Sequence, residues 1–281
     1  MEPRYGNVEG GTSVTFTGTG FSATISDYTI LIDKIVCAAT AATTSSVTCT
    51  TGPRPGLHKS SLSIFILGKG SVSLSGKLFG YVNAWSSDIT WGGEFAPMEG
   101  ESVYVPAGLN LLVDVDSTPV LTAVIVEGSI IFAPHATDPT HHRTFDAKYI
   151  FVNMGKMEVG TEEFPYTSKI TITLHGTVSD PYLPIYGNKV LGVRHGTLDM
   201  HGPERLPTWT VLESTAEVNS TTITLQRAVD WQAGEEISIA STSYNAHEAE
   251  KRTILAIDNS NPAKPIITLS SKLEFKHFAM T

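Results

Sequence analysis

A repeated strand–glycine–strand unit constrains the fold of this chain more than any other sequence feature. The segments VIVEGSIIFAP, IFVNMGKMEVG and LGVRHGTLDMHG each place an apolar alternation on both sides of a glycine, at Gly128, Gly155 and Gly196. Stacked units of this kind build a β-solenoid, in which each turn packs its inward side chains on the next and glycine permits a tight corner. The unequal spacing of the glycines argues against a propeller of equal blades.

The remaining sequence also predicts an all-β protein. Short strands bounded by Gly, Pro, Asn or Asp recur throughout, as in SVTFTGTGF, SLSIFILG, ESVYVPAG and KITITLHG. Long helical periodicity is almost absent, and one short helical turn is expected at NAHEAEKRT, residues 245–253. The composition changes near residue 82, from Ser/Thr-rich strands to AWSSDITWGG, which predicts a domain boundary there.

Charge and hydropathy exclude several classes of function. The formal net charge of the 281 residues is −9, which makes nucleic acid and anionic membrane surfaces poor partners. No apolar run is long enough for a transmembrane helix, and the N-terminus has no signal-peptide core. The chain is therefore expected to be either a cytosolic protein or a piece of a longer one.

Two further features concern the compartment of the protein. Cys37 and Cys49 flank a segment that is predicted to form a strand, a turn and a strand, so they are either cross-strand disulfide partners or buried free thiols. Two cysteines alone cannot make a structural zinc site. The sequon at Asn219 is typical of a glycosylated extracellular protein, although a single sequon arises easily by chance.

The third repeat unit holds two histidines and an aspartate within VRHGTLDMHG. Strand alternation predicts that Leu198 and Met200 face the stack while Asp199 and His201 lie on the outer face, close enough to share an ion. The preceding unit places a lysine and a glutamate outward in the same way. An outward polar set is the default for a solenoid, so the pattern favours a structural role over a metal or catalytic site.

A second polar cluster occurs in DPTHHRTFD, which is predicted to be a loop. Its candidate residues are His141, His142, Arg143 and Asp146, which could bind a polyanion or supply an acid and a base. Glycoside hydrolysis needs two carboxylates about 5–10 Å apart, a distance that the sequence does not give. A polar loop between strands is the favoured interpretation.

Other candidates have simpler explanations. Asp114 and Asp116 alternate on one strand face and could bind Ca²⁺, but a solvated strand end is favoured. No nucleotide loop and no Cys/His metal spacing is present, so no other cofactor is predicted. Four tryptophans could stack on sugars and are better explained as core or capping residues: Trp85, Trp91, Trp209 and Trp231. The first two are expected to cover the end of the solenoid where the first domain meets it.

Two segments resemble known domain families. GNVEGGTSVTFTGTGFS and the cysteine pair followed by TTGPRPG resemble an IPT/TIG domain, an immunoglobulin-like β-sandwich, which implies that the cysteines form a disulfide. TWGG, EGESVYVPAG and VGTEEFPY resemble a G8 domain, which implies a right-handed parallel β-helix. The motifs EAEKRTI and LEFKH are similar to the region after G8 in the same proteins. We expect a TIG domain at residues 1–82, a G8 domain at 83–207 and a continuation of the β-helix at 208–281.

A TIG domain followed by a G8 domain resembles the fibrocystin family of large single-pass cell-surface proteins. This resemblance implies an ectodomain at the extracellular face of the plasma membrane, without enzymatic activity. It also implies a receptor-like coat protein of the stereocilia type, with a role in hearing. Expected partners are neighbouring TIG domains and an extracellular protein or glycan, and this stretch is not expected to touch the membrane. The alternative is a carbohydrate-active module that binds or depolymerises hyaluronan, as in other G8 proteins, with the six residues at positions 141–143, 146, 199 and 201 as its site.

Overall fold

The computed structural model describes residues 1–54, 59–74, 79–135, 138–183 and 185–279. The described chain is all-β and divides into two compact units, Met1–Gly202 and Pro203–Thr281. Its helices are three short 3₁₀ turns, and none of them reaches the length or hydropathy of a membrane-spanning segment.

Nine strands and one 3₁₀ turn occupy the described part of residues 1–84. The turn is Ile25–Asp27, and the strands are β1 Tyr5–Asn7, β2 Ser13–Thr17, β3 Tyr28–Ile32, β4 Ile35–Ala42, β5 Ser46–Thr51, β6 Lys59–Ser60, β7 Leu62–Ile66, β8 Gly70–Ser71 and β9 Phe79–Ala84. Six of these strands form an antiparallel sheet in the order β2-β5-β4-β3-β7-β8. A disulfide joins Cys37 of β4 to Cys49 of β5, as the resemblance implies.

Residues 85–202 contain a 3₁₀ turn at Asp88–Trp91 and nine further strands among the described positions. These are β10 Ser102–Val105, β11 Asn110–Leu112, β12 Leu121–Val126, β13 Ser129–Phe132, β14 His142–Asn153, β15 Lys156–Val159, β16 Lys169–Leu174, β17 Val190–Arg194 and β18 Thr197–Met200. All of their pairings are parallel.

The parallel strands form two ladders, and strands β9 to β16 alternate between them along the chain, whereas β16 and β17 both lie on the same ladder. One ladder has the order β10-β12-β14-β16, with β17 also pairing with β14; the other has the order β9-β11-β13-β15-β18. We call the first the outer ladder and the second the junction ladder. Between them lies an apolar core that includes Leu111, Ile130, Phe145 and Met157, all almost fully buried.

The three glycines of the repeat lie at the corners between the two ladders. Gly128 links β12 to β13, Gly155 links β14 to β15, and Gly196 links β17 to β18. A Cβ atom on Gly155 would lie 2.5 Å from the carbonyl oxygen of Gly128, and one on Gly196 would lie 2.7 Å from that of Gly155. The corners therefore need glycine because each packs on the backbone of the corner before it. None of the three has a positive φ, so left-handed backbone freedom is not the reason.

Strand β9 belongs to both halves of the first unit. Its Phe79 and Tyr81 are buried in the core of the antiparallel domain, while Trp85, directly after it, is buried in the core between the ladders. On one edge β9 pairs in parallel with β1, and on the other it pairs in parallel with β11. The predicted boundary near residue 82 thus falls inside a strand that the two domains share.

Two side chains of β18 face the stack as predicted, but they are not buried there. Leu198 and Met200 follow Met157 and Val159 in the register of the junction ladder, which is the apolar side of the sheet. They are nevertheless 40% and 49% exposed. The reason is that β18 is the last strand of this ladder in the described first unit, so no further strand of the unit covers them.

The second unit also departs from the prediction. Its strands are β19 Thr222–Thr224, β20 Glu236–Ile239, β21 Glu250–Asp258 and β22 Ile266–Leu269, with a 3₁₀ turn at Ala246–Glu248. They form a sheet in the order β19-β22-β21-β20, and every described pairing in it is antiparallel. A continuation of parallel strands was expected here. The connection from β21 to β22, DNSNPAKP, is short, and short connections join antiparallel neighbours, whereas parallel pairs need a longer crossover.

Candidate functional site

A chain of polar contacts crosses the junction between the two domains of the first unit. The hydroxyl of Tyr5 on β1 donates a hydrogen bond to Oε1 of Glu158 at 2.5 Å. The Lys156 ammonium contacts Oε2 of Glu158 and Oδ2 of Asp199, both at 2.8 Å. Nδ1 of His201 lies 2.7 Å from the other oxygen of Asp199. We call these five residues the junction cluster.

The register of the junction ladder brings the charged members together. Lys156 and Glu158 alternate on β15, and Glu158 pairs directly with Asp199 on β18. The hydrogen bond from Lys156 lowers the pKa of Asp199 below its usual range, against the opposing effect of burial. Burial opposes the charge of Lys156, yet its contacts with Asp199 and Glu158 raise the pKa of the ammonium. Both shifts favour the ionised forms of these two side chains.

The junction cluster lines a cleft of about 580 Å³. Arg4 and Phe164 also line it, and the Arg4 guanidinium carbon lies 3.4 Å from the centroid of the Phe164 ring. A cation stacked on an aromatic face is stabilised by the ring quadrupole. Because Arg4 belongs to the first domain and Phe164 to the region 85–202, this contact also joins the two domains.

The predicted loop of His141, His142, Arg143 and Asp146 is largely a strand. β14 begins at His142, so alternation sends these side chains to opposite faces. Arg143 is buried; its Nε donates to the carbonyl oxygen of Val115 and its Nη1 to that of Ala133, both at 2.7 Å. An arginine held inward by main-chain carbonyls is a structural residue and is not available to a polyanion.

The other three residues have separate partners on the outer ladder. Nε2 of His142 lies 2.8 Å from the hydroxyl of Thr171, and Oδ1 of Asp146 lies 2.7 Å from Nε2 of His175. His141, just before the strand, lies 3.1 Å from a carboxylate oxygen of Asp116. None of these residues lines the junction cleft.

The six residues of the alternative carbohydrate site therefore do not converge. Asp199 and His201 are on the junction ladder, and the other four are on or beside the outer ladder. Retaining and inverting glycosidases both need one carboxyl group that keeps its proton near neutral pH. Lys156 lowers the pKa of Asp199 and so stabilises the ionised carboxylate, which is the opposite of what a proton-donating carboxyl group requires. The geometry supports a structural role for the junction cluster.

The other sequence candidates, the two aspartates and the four tryptophans, lie outside the junction cluster. Asp114 accepts hydrogen bonds from the backbone N–H and the hydroxyl of Ser86, whereas Asp116 contacts His141, so the two carboxylates have different partners. No cluster of three or more potential metal ligands is present among the described residues.

The Trp85 and Trp91 rings pack edge to face with centroids 5.0 Å apart, with Trp85 in the core. In the second unit Trp209 is exposed and Trp231 is half-buried.

In the second unit, a buried polar contact joins the two motifs that follow the G8 region. Glu250 of EAEKRTI accepts a hydrogen bond from Nε2 of His277 in LEFKH at 3.0 Å and from the backbone N–H groups of Glu274 and Phe275 at 2.9 Å. Although burial opposes its charge, these bonds and Arg252 lower the pKa of Glu250. The two motifs thus stabilise the end of the described chain against β21.

Sequence reasoning assigned no role to Tyr5, Arg4 or Phe164. Lys156 and Glu158 were expected only as outward polar residues. Aligning the repeat units would have paired Glu158 with Asp199, since both lie three residues after the corner glycine. Nothing in the sequence connects Tyr5 to a strand more than 150 residues away.

Comparison with known domain families assigns both halves of the first unit. The profile of the IPT/TIG domain matches residues 1–81, and the profile of the G8 domain matches residues 90–213. The first match covers the antiparallel domain with part of β9. The second covers the strands of the two parallel ladders from β10 onward and ends in the second unit.

Three curated relatives show the breadth of the similarity. Human Fibrocystin-L is 35% identical over 285 residues, which covers 100% of this chain and 6% of the relative. Mouse Fibrocystin is 32% identical over 186 residues, covering 65% of this chain and 4% of the relative. Protein rliB of Dictyostelium discoideum is 25% identical over 202 residues, covering 69% of this chain and 17% of the relative.

The chain thus spans only a small part of the relatives it matches. Similarity to Fibrocystin-L nevertheless covers the TIG domain, the G8 domain and the second unit. The shared strand β9 and the junction cluster link the two domains in this chain. The chain is a member of the fibrocystin and fibrocystin-L family and carries an IPT/TIG domain followed by a G8 domain.

Proposed function

We propose that the chain is a stiff structural segment of a large extracellular, receptor-like cell-surface protein, and that it has no enzymatic activity. The observation that carries this proposal is the shared strand β9, whose residues enter the cores of both the TIG and the G8 domain. A flexible linker would leave the domains free to rotate. A strand paired on both edges, to β1 and β11, resists such rotation because hydrogen bonds on both sides must break first.

The G8 region contributes stiffness in this proposal as a right-handed parallel β-helix. Strands β9 to β16 alternate between two parallel ladders, and the corner glycines pack on one another, which supports a stacked architecture. In a stack of this kind each unit contacts its neighbours along one axis. Bending it would open the core between the ladders, so the segment should hold its shape under load.

An extracellular location is supported by the disulfide and by the relatives. A Cys37–Cys49 bridge is stable in oxidising compartments and rare in the cytosol. We propose an ectodomain of a single-pass membrane protein at the plasma membrane, with neighbouring TIG domains and an extracellular protein or glycan as partners. Membership of a stereocilia coat with a role in hearing is part of the same proposal and rests on the family resemblance alone.

Labelling of intact cells tests the location. The longer protein that contains this chain is expressed with an epitope tag inserted beside Ser45, in an exposed turn of the TIG domain. Antibody should stain cells that have not been permeabilised. Staining that requires permeabilisation, with Cys37 and Cys49 reduced, would overturn the extracellular proposal.

The rival function, hyaluronan binding or cleavage, is tested by chain length. Hyaluronan is incubated with the oxidised 281-residue chain, with and without Ca²⁺, and its length distribution is measured. The proposal predicts no change in length. Shortening that disappears in Asp199→Asn but persists in Asp146→Asn would contradict it and make the junction cleft a catalytic site.

A further inference from the structure

The sequon Asn219-Ser220-Thr221 lies in an exposed turn just before β19. Two backbone hydrogen bonds fix this turn: the N–H of Asn219 donates to the carbonyl oxygen of Leu273 at 2.8 Å, and that of Ser220 donates to Glu217 at 3.1 Å. Asn219 has a φ of 69°, a left-handed conformation that asparagine adopts more readily than most residues. The main chain is therefore held while the asparagine side chain is exposed.

The two side chains that define the sequon have no protein partner in the described part of the chain. Neither the amide of Asn219 nor the hydroxyl of Thr221 takes part in a described hydrogen bond, whereas the Ser220 hydroxyl bonds the backbone of Thr222. The amides of Asn7 and Asn153, by contrast, bond to glutamates. Left-handed backbone explains an asparagine at position 219, but it does not explain a threonine with a free hydroxyl two residues later.

We propose that Asn219 carries an N-linked oligosaccharide. In the transfer step, Nδ2 of Asn219 forms a bond to the anomeric carbon of the first sugar and gives one proton to a basic group of the transferring enzyme. The bond between that carbon and the phosphate of a lipid-diphosphate-linked oligosaccharide breaks, and the lipid diphosphate leaves. The inference rests on the proposed extracellular function, because this donor acts in the secretory pathway.

A glycan at this turn would define one solvent-facing surface of the second unit. A bulky, hydrated oligosaccharide cannot be packed against a neighbouring domain. The surface around the turn before β19 is then excluded as a docking face in the longer protein. The TIG–G8 junction of the first unit differs from this surface, because side chains of both domains pack together there and leave no room for a glycan.

Mass analysis of the secreted chain tests the inference. The 281-residue chain is expressed in animal cells behind a secretion signal, and its mass is measured before and after enzymatic removal of N-linked glycans. The matched variants are Thr221→Ser, which keeps the sequon, and Thr221→Ala, which removes it. Wild type and Thr221→Ser should lose one glycan on treatment and show Asp at position 219, and Thr221→Ala should not change.

The outcomes separate this inference from the proposed function. A secreted, oxidised wild-type chain without a glycan would overturn the glycan at Asn219 and leave the extracellular proposal standing. The location is decided independently by labelling intact cells with the longer protein. A glycan that persists in Thr221→Ala would also overturn the inference, because it would lie at another position.

Discussion

The junction ladder and the outer ladder have similar sequence patterns and different surroundings. Both alternate apolar and polar residues, and both place His–Asp pairs on the face away from the core. The two pairs are similarly accessible, because the side chains of His201 and Asp199 are 43% and 20% exposed and those of His175 and Asp146 are 37% and 18% exposed. The ladders differ at Glu158, which contacts Tyr5 of the TIG domain and is only 8% exposed. The same alternation of apolar and polar residues therefore forms a domain junction where another domain covers the polar face, and a solvated surface where no domain covers it.

The largest expected effect comes from the corner that connects the two ladders. Gly155→Ala would place a Cβ atom 2.5 Å from two backbone carbonyl oxygens, which cannot move aside as a flexible side chain can. We expect a loss of about 3 kcal/mol or more in the free energy of unfolding, measured by urea denaturation. Gly202→Ala is the control, because nothing lies within 4 Å of its Cβ position. Equal stability of the two variants would show that the corners are not closely packed.

The comparison between the ladders is tested directly by Glu158→Ala and Asp146→Ala. Removing Glu158 leaves the Tyr5 hydroxyl unpaired at a half-buried position and takes one of two carboxylates from Lys156. We expect this change to cost about 2 kcal/mol. Asp146→Ala breaks a partly exposed pair and should cost about 0.5 kcal/mol. Comparable losses in urea midpoint would remove the distinction between the two faces.

A smaller effect is expected for the cross-domain hydrogen bond alone. Tyr5→Phe keeps the ring and removes only the hydroxyl that donates to Glu158. The expected loss is about 1.5 kcal/mol, since the acceptor is charged and the contact is mostly buried. Tyr104→Phe is the matched control, because its hydroxyl contacts Glu127 on the exposed surface. If both variants unfold at the wild-type midpoint, the Tyr5 contact does not stabilise the junction.

The smallest expected effect is on the stability of the protein at acidic pH. The pKa of Asp199 is lower in the folded protein than in the unfolded chain, so its contribution is complete above the unfolded value and is lost as pH falls through the folded value. The free energy of unfolding should therefore fall below about pH 4. In Asp199→Asn this part of the acid dependence should be missing. An unchanged pH profile in that variant would contradict the assigned role of Lys156.

The glycines show how much of the G8 fold could be predicted. The repeat identifies the three corners correctly, because strand–glycine–strand units recur at Gly128, Gly155 and Gly196. The reason why these corners need glycine could not be derived from one sequence, because each glycine closely approaches the corner of the preceding strand–glycine–strand repeat. Likewise, the exposure of Leu198 and Met200 depends on β18 being the last strand of its ladder, which alternation cannot reveal.

The second unit shows where pattern reasoning fails. Short apolar alternations in TTITLQ, EISIAS and PIITLSS predict strands β19, β20 and β22, but residues 245–253 were predicted to be a helical turn, and only Ala246–Glu248 is helical before β21 begins. Strand direction was also wrong, because alternation carries no information on parallel or antiparallel pairing. The candidate site was predicted in part: Asp199 and His201 do form a pair, but Arg143 points inward because it lies on the core face of β14.

The central claim is that the TIG and G8 domains form one rigid body through β9 and the junction cluster. It is tested by a distance distribution from pulsed electron paramagnetic resonance between spin labels on Ala41→Cys of β4 and Ser102→Cys of β10, both exposed positions. The native cysteines are bridged and do not react. We predict a single narrow distance for the oxidised 281-residue chain. A broad or multiple distribution would mean that the domains rotate about a flexible linker, which would contradict the account.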